Sequence, residues 1–478
     1  MTEGQKLPQS WVIVRVADIG ETVTGNTPPK SDVRNYGSYI PFVKPPELIN
    51  GVINSADDNL SEVGSKKSRV LPPNSVLVSC IGNLGRTGIN KTQIAFNQQI
   101  NAIIPYEGIE PKFVFYQAQS IFFRNQLENL ASATTIAIVN KGNFQKISLY
   151  LAPHKEQKRI IAKIEELFSK LDKGIENLKI AREQLKVYRQ AVLKSAFEGK
   201  FTTEWRDIHS IDATDSQVIR VERKNAPDMP DELTQLCADT WPWTRLGSIS
   251  KVSGGLTKNP KRQKLPLKMK YLRVANVYAD KIFLDDVLEI GVTGEEFDAV
   301  RLVPGDLLVV EGNGSVGQIG RVAVWDGQLS DVGHQNHLIK VRLVEGMNPR
   351  FFLYFLMSPL GRELIVKKAS STSGLHTLSI SKVSSLPVPV PSTGEQSEIV
   401  RLFEAQMSII ENLEATIEAE LQKSEALRQS ILKKAFSGKL VAQDPNDEPA
   451  SVLLERIRAE KNAQNTEGKK TKAKRSAA

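Results

Sequence analysis

An α+β fold of two similar globular units and two long helices is predicted by three features of the sequence. Arg189–Lys200 (RQAVLKSAFEGK) and Arg428–Lys439 (RQSILKKAFSGK) are near copies, and the same separation of 239 joins Glu156-Gln157 to Glu395-Gln396. Each copy carries a heptad pattern, and each follows a segment of short apolar runs and polar loops. The expected organisation is globular unit 1–152, helix 153–201, linker 202–238, globular unit 239–391, helix 392–440 and a basic segment 441–478. A length of 478 residues fits this count better than one core, since single cores stop growing near roughly 250–300 residues.

The repeat is fainter inside the globular units. Trp11, Ile13 and Arg15 match Trp241, Trp243 and Arg245, and Pro111–Tyr116 (PKFVFY) matches Pro349–Tyr354 (PRFFLY). The glycines of Gly82–Gly88 line up with Gly314, Gly317 and Gly320. Ser75–Val78 and Asp306–Val310 read as strands after Pro-containing turns. Pro111–Arg124 and Pro349–Glu363 read as helices whose aromatic residues belong to the core.

The glycine-rich segments after the strands place polar loops at one edge of each unit. In the first unit they carry Asn83, Arg86, Asn97, Gln98, Gln99, Thr134, Thr135, Asn140 and Lys141. In the second they carry Lys258, Lys261, Arg262, Asn313, Ser315, Arg321, His334, Gln335, Asn336, His337, Ser371, Ser373 and His376. Asn, Gln and Arg present paired donors and acceptors that match base edges. Ser, Thr and Lys suit phosphates. These residues are therefore candidate DNA contacts, chosen by loop position and side-chain chemistry.

The helical blocks contain no internal proline. Ile164, Leu171, Leu178, Leu185 and Val192 recur every seven residues, with Phe168 and Ile175 on the second row. The other block gives Phe403, Ile410, Ile417 and Ile431, with Met407 and Leu421. Gly199 and Gly438 are placed to stop the helices. At about 1.5 Å per residue each helix makes a rod of about 65 Å, longer than a small unit can cover. Each is expected to pair with the other as an antiparallel coiled coil. Arg182, Arg189, Glu414, Ser424 and Arg428 interrupt the seam, either setting its register or snorkelling along it.

Enzyme signatures fail one by one. Gly312–Gly317 fits a dinucleotide motif but leads into another strand rather than a helix. Asn26–Lys30 has an extra residue and a lysine where an adenine methyltransferase loop needs an aromatic. His334 and His337 have no third ligand at fixed spacing. Two cysteines, Cys80 and Cys237, exclude a disulfide framework and a cysteine zinc site. No catalytic residue, metal or bound cofactor is expected. The polar first ten residues lack a signal-peptide core, and a cytoplasmic location with no membrane contact is expected. Of the net +9, residues 461–478 hold +5, so charge alone is weak support for DNA binding.

The Pro-x-x-Glu-Gln at Pro153–Gln157, the long helix and the duplicated helix-end motif together resemble the specificity subunits of type I restriction-modification systems, over essentially the whole chain. Ala450–Ile457 and the basic segment are similar too. Gln9-Ser10 replaces the family's usual Gly before Trp11, and Pro391 to Glu395-Gln396 has one extra residue. The resemblance implies a non-catalytic subunit whose two globular units each read half of a split DNA target. It implies helices that set the gap and dock two methylase subunits, with two restriction subunits as further partners. S-adenosylmethionine, ATP and Mg2+ would belong to those partners. The rival reading is a coiled-coil structural adaptor, which explains the heptads but not the flanking polar-looped units.

Overall fold

The computed structural model describes residues 7–132, 136–209, 237–238, 241–313, 315–372 and 375–475. Two compact units emerge, one built from residues 1–179 and 418–478, the other from 180–417. The division cuts each long helix near its middle.

The first unit holds a five-stranded sheet in the order Gly20–Thr24, Ile100–Pro105, Val76–Ser79, Thr87–Asn90, Gly51–Ile53. A second sheet centres on Tyr36–Val43, antiparallel to Asp58–Leu60 and parallel to Ile94–Phe96. The strands at the core of the main sheet are buried on both faces, which is why they read as continuous apolar runs rather than alternating ones.

The second unit repeats this plan. Its main sheet runs Ser250–Ser253, Leu338–Leu343, Leu307–Val310, Val322–Val324, and its second sheet centres on Leu267–Leu272, antiparallel to Leu288–Val292 and parallel to Val332–His334. In each unit a two-stranded ribbon joins the entry to the exit, Val12–Arg15 with Ser148–Leu151 and Trp243–Arg245 with Pro387–Pro389. The internal duplication therefore extends through the globular parts, where sequence matching was faint.

Strand register changes one sequence match. Val78 pairs Thr87 and Val309 pairs Val322, so Thr87 corresponds to Val322 and Gly85 to Gly320, not to Gly317. Gly85 and Gly320 share a left-handed backbone, at φ 79° and 62°. The loop of the second unit is simply longer, and counting glycines from its start misplaces the rest.

The aromatic segments are two helices each rather than one. Pro111–Ala118 gives way to Ile121–Asn129, and Pro349–Met357 to Pro359–Lys368. Ser120 and Ser358 break the run: each hydroxyl accepts an amide hydrogen bond from the new first turn, from Phe123 (3.3 Å) and Gly361 (3.1 Å).

The long helices span His154–Phe197 and Thr393–Ala435, each followed by a left-handed glycine, Gly199 (φ 74°) and Gly438 (φ 70°). In the first unit Ile160, Ile164 and Phe168 share a core with Ile431, Leu432, Ala435 and Phe436. In the second, Val192, Ala196 and Phe197 share one with Ile399, Phe403 and Ile410. Ile417 is buried, while Leu171, Ile175, Leu178, Leu185, Met407 and Leu421 are half-buried. Three of the polar interruptions take part in two cross-helix ion pairs. Arg428 pairs with Asp172 while stacking over Phe168, and Arg189 reaches Glu414 at 3.1 Å. Most heptad residues near the middle of the helices are only half-buried, and charged pairs beside such positions carry register information.

The repeated Glu-Gln explains itself at these junctions. Gln157 accepts from Glu110 N (3.0 Å) and donates to Ala152 O (2.9 Å); Gln396 accepts from Asn348 N (2.9 Å) and donates to Pro391 O (2.9 Å). Each glutamine thus ties the start of a long helix to the start of the aromatic helix beside it. Burial pushes the Glu156 carboxyl pKa up, opposed by hydrogen bonds from Trp11 Nε1 (2.9 Å) and Gln443 (2.6 Å). The segment after Phe436 is not a solvated tail throughout. It enters a helix, Ala450–Arg475, whose Ala450, Leu453, Leu454 and Ile457 lie in the core of the first unit.

Candidate nucleic-acid interface

The loops singled out by side-chain chemistry gather at one edge of each unit, tied by matching backbone hydrogen bonds. Cys80 N donates to Gln99 O (2.8 Å) and Val139 N to Cys80 O (2.8 Å). At the same places Glu311 N donates to His337 O (3.0 Å) and Leu378 N to Glu311 O (2.7 Å). Three loops are thereby brought side by side, 80–86 with 97–99 and 137–140, and 311–321 with 334–337 and 375–378. The chain enters this edge through a glycine in each unit. A Cβ at Gly25 would lie 2.1 Å from Asn97 O, and one at Gly255 would lie 2.1 Å from His334 O, so no larger residue fits.

Individual side chains then sort by exposure. Asn83, Gln98, Asn140 and Lys141 are exposed; Arg86 and Gln99 are half-buried. Gln98 Oε1 accepts from the Thr27 hydroxyl (2.5 Å), and Asn140 caps the helix Lys141–Phe144 through Asn143 N (2.8 Å). In the second unit Lys258, Lys261, Ser315 and His337 are exposed, while Arg321, Gln335, Asn336 and His376 are half-buried. His337 Nδ1 lies 2.7 Å from Glu311 Oε2. Asn313 and Ser371 are placed by their backbones, both opposite His376. Thr134, Thr135 and Ser373 lie outside the described residues.

Three of the chosen side chains are occupied in the fold. Asn97 is buried and holds Gln99 through two hydrogen bonds, Asn97 Nδ2 to Gln99 Oε1 (3.0 Å) and Gln99 N to Asn97 Oδ1 (3.1 Å). Arg262 spends its donors on Glu296 (2.8 and 2.9 Å), Thr257 O and Gly291 O. His334 is fully buried and takes the place that Phe96 has in the first unit, since Asn97 N donates to Val43 O as Gln335 N donates to Leu272 O. Its Nδ1 lies 2.9 Å from Leu338 O, and Nε2 has no partner. A polar residue beside other polar residues reads as a loop in sequence, and only the parallel strand pairing of Val332–His334 turns it inward.

Burial lowers the His334 pKa to about 4, against 6.5 for the free side chain. The unfolded chain therefore takes up the proton first, and stability present above pH 6.5 is lost as pH falls toward 4. His334→Phe is expected to keep or raise the thermal midpoint at pH 7 and to flatten its fall across that window. Thermal melts at stepped pH check this; an unchanged slope would show that His334 carries none of the acid sensitivity.

Among the described residues no group of three or more His, Cys, Asp or Glu could hold a metal ion, and no helix is long and apolar enough to cross a membrane.

Comparison with known proteins meets this geometry from the other side. A family model described as a type I restriction modification DNA specificity domain matches twice, at residues 8–181 and 238–423. The specificity subunit of the type I restriction enzyme EcoKI from Escherichia coli K12 is 28% identical, with 98% of this chain and 99% of that one covered. The StySPI specificity subunit from Salmonella potsdam is 27% identical over the same shares. Among solved structures, a chain from a study of complex assembly and conformational transition of the type I R-M system aligns with a TM-score of 0.64 and 18% identity, covering 91% of this chain and 99% of that one. The HsdS subunit of Thermoanaerobacter tengcongensis aligns with 0.56 and 18%, covering 92% and 100%. The structural likeness speaks for the fold alone. A specificity model that fits once per structural repeat and spans most of the sequence places the chain in the family of type I restriction modification DNA specificity domains.

Proposed function

We propose that this chain is the DNA-recognition subunit of a type I restriction-modification complex, each globular domain reading one half of a bipartite target. The observation that carries the division of labour is the duplicated edge: the same three loops are brought together by the same backbone hydrogen bonds in both domains, yet they carry different side chains. A common frame with variable polar loops suits two half-sites of different sequence, because base edges are read by side-chain donors and acceptors.

The long helices act as an antiparallel coiled-coil spacer between the half-sites. Support comes from their ends: the start of one helix shares a core with the end of the other in each unit. Exposed apolar residues on them, Ile180, Val187, Tyr188, Ile409 and Leu413, suit docking of methylase subunits. In this reading the chain itself is not catalytic. Two methylase subunits, joined by two restriction subunits where present, supply S-adenosylmethionine-dependent adenine methylation and ATP- and Mg2+-dependent cleavage. The methylated base leaves the duplex stack to react.

The test is a domain exchange. Replacing residues 1–150 by the first domain of a relative with another target is expected to change one half-site and leave the other, and the gap, intact. Mapping N6-methyladenine in cells carrying the hybrid with its methylase reads the result. A change in both halves would refute independent reading.

A further inference from the structure

Each domain carries a second, tight loop beside the recognition edge that side-chain chemistry does not single out. In the first domain it runs through the turn Pro45–Glu47 to Asn50, in the second through Val274–Asn276 to Asp280. Both turns are capped by a side chain: Lys44 N donates to Glu47 Oε2 (3.0 Å) and Arg273 N to Asn276 Oδ1 (2.8 Å). Both end in a left-handed non-glycine residue, Asn50 (φ 58°) and Asp280 (φ 56°). Both are pinned to the strand that leaves a recognition loop. Asn50 N donates to Thr87 O (2.9 Å) and Asp280 N to Val322 O (2.9 Å). Asn50 Oδ1 also accepts from Thr87 N (3.1 Å) and the Thr87 hydroxyl (3.0 Å).

These rigid tips hold apolar side chains out into solvent. Ile49 is 75% exposed; Tyr278 and Phe283, packed edge to face, are 46% and 47% exposed. One such residue alone is ordinary on a protein surface. Here the exposure recurs at one architectural place while its residues differ: Leu48 is buried where the matching Tyr278 is exposed. An arginine precedes the strand that pins each tip, Arg86 before Thr87 and Arg321 before Val322, and the Arg321 guanidinium lies 5.0 Å over the Tyr278 ring. Duplex DNA is the partner that takes an apolar side chain and a cation side by side. Apolar wedges enter between base steps or along sugars in the minor groove while arginine meets the phosphates.

We propose that the Ile49 and Tyr278 tips are wedge elements, pressed against the duplex at each half-site beside the arginine of the adjoining loop. The proposal rests on the DNA-reading role above. Its experiment uses the full chain copurified with its methylase subunits and a duplex carrying the target mapped by methylation. Ile49→Ala and Tyr278→Ala are each expected to weaken binding about five- to tenfold, equally at every salt concentration, with the thermal midpoint unchanged. Arg86→Ala, by contrast, should lower the slope of log K against log salt by about one. Unchanged affinity in the two tip variants overturns the proposal, as does a fallen thermal midpoint. Intact DNA affinity with loss of methylase copurification overturns it too, and makes the tips protein-docking elements. If the unaltered complex does not prefer the mapped duplex over a scrambled one, the DNA-reading role itself fails, separately from the wedge.

Discussion

With each long helix lengthened by three heptads, the chain is expected to direct its methylase partner to a target whose halves stand about nine base pairs further apart. The insertions belong between Lys179 and Ile180 and between Ile417 and Glu418, where the two compact units divide. Twenty-one added residues extend a helix by about 32 Å, close to the ~34 Å of one duplex turn. Half-sites moved apart by about one turn present the same face of the duplex again. Seam positions in the inserts must stay apolar, so that the heptad register of Ile164 through Ile431 runs on unbroken. One inserted heptad adds only about 10 Å, or about three base pairs, and turns the half-sites by more than a quarter circle. That variant should lose methylation instead of shifting its gap. Mapping methylated adenines reads both outcomes. An unchanged gap in the long variant would refute the spacer role while leaving recognition by the domains untouched.

Gln157→Ala and Gln396→Ala are expected to be the most damaging single polar substitutions, each costing about 2–4 kcal/mol. Both side chains are fully buried, and each satisfies one backbone amide and one backbone carbonyl. Alanine leaves both groups buried without a partner, which costs more than the net worth of the two bonds. The loss falls where a globular domain joins its helix, so the orientation of that domain slackens as well. Denaturant melts should show a lower midpoint for either variant. Gln98→Ala, at an exposed loop position, should stay within about 0.5 kcal/mol. Equal effects at Gln98 and Gln157 would mean that the buried pairing stabilises nothing.

Local sequence carried a large part of this protein. A period of seven residues fixes which face of a helix can be buried whatever it packs against, so the two long helices and their glycine stops were legible to within a residue or two at most ends. Duplication was legible for a related reason: the Glu-Gln pair and the helix-end motif sit at buried junctions, where few substitutions are tolerated. The broken aromatic helices were missed because Ser120 and Ser358 act as caps only once their hydroxyls turn toward the next amide, a choice composition does not announce.

The recognition edge divides along the same line. That polar loops follow the strands could be read directly, because turn residues and apolar runs are local signals. Which of their side chains reach solvent could not. Parallel pairing with Leu267–Leu272 buries His334, a carboxylate from another segment saturates Arg262, and Asn97 turns inward to hold Gln99. The match of Gly85 with Gly320, and the apolar tips at Ile49 and Tyr278, came only from register and exposure. Periodicity and internal repetition therefore determined the helices and the duplication, and the motifs at 153–157, 189–200 and 428–439 carried the resemblance to the family. Contacts between residues far apart in sequence decided which groups reach solvent, because burial is set by what folds against a side chain and not by its neighbours along the chain.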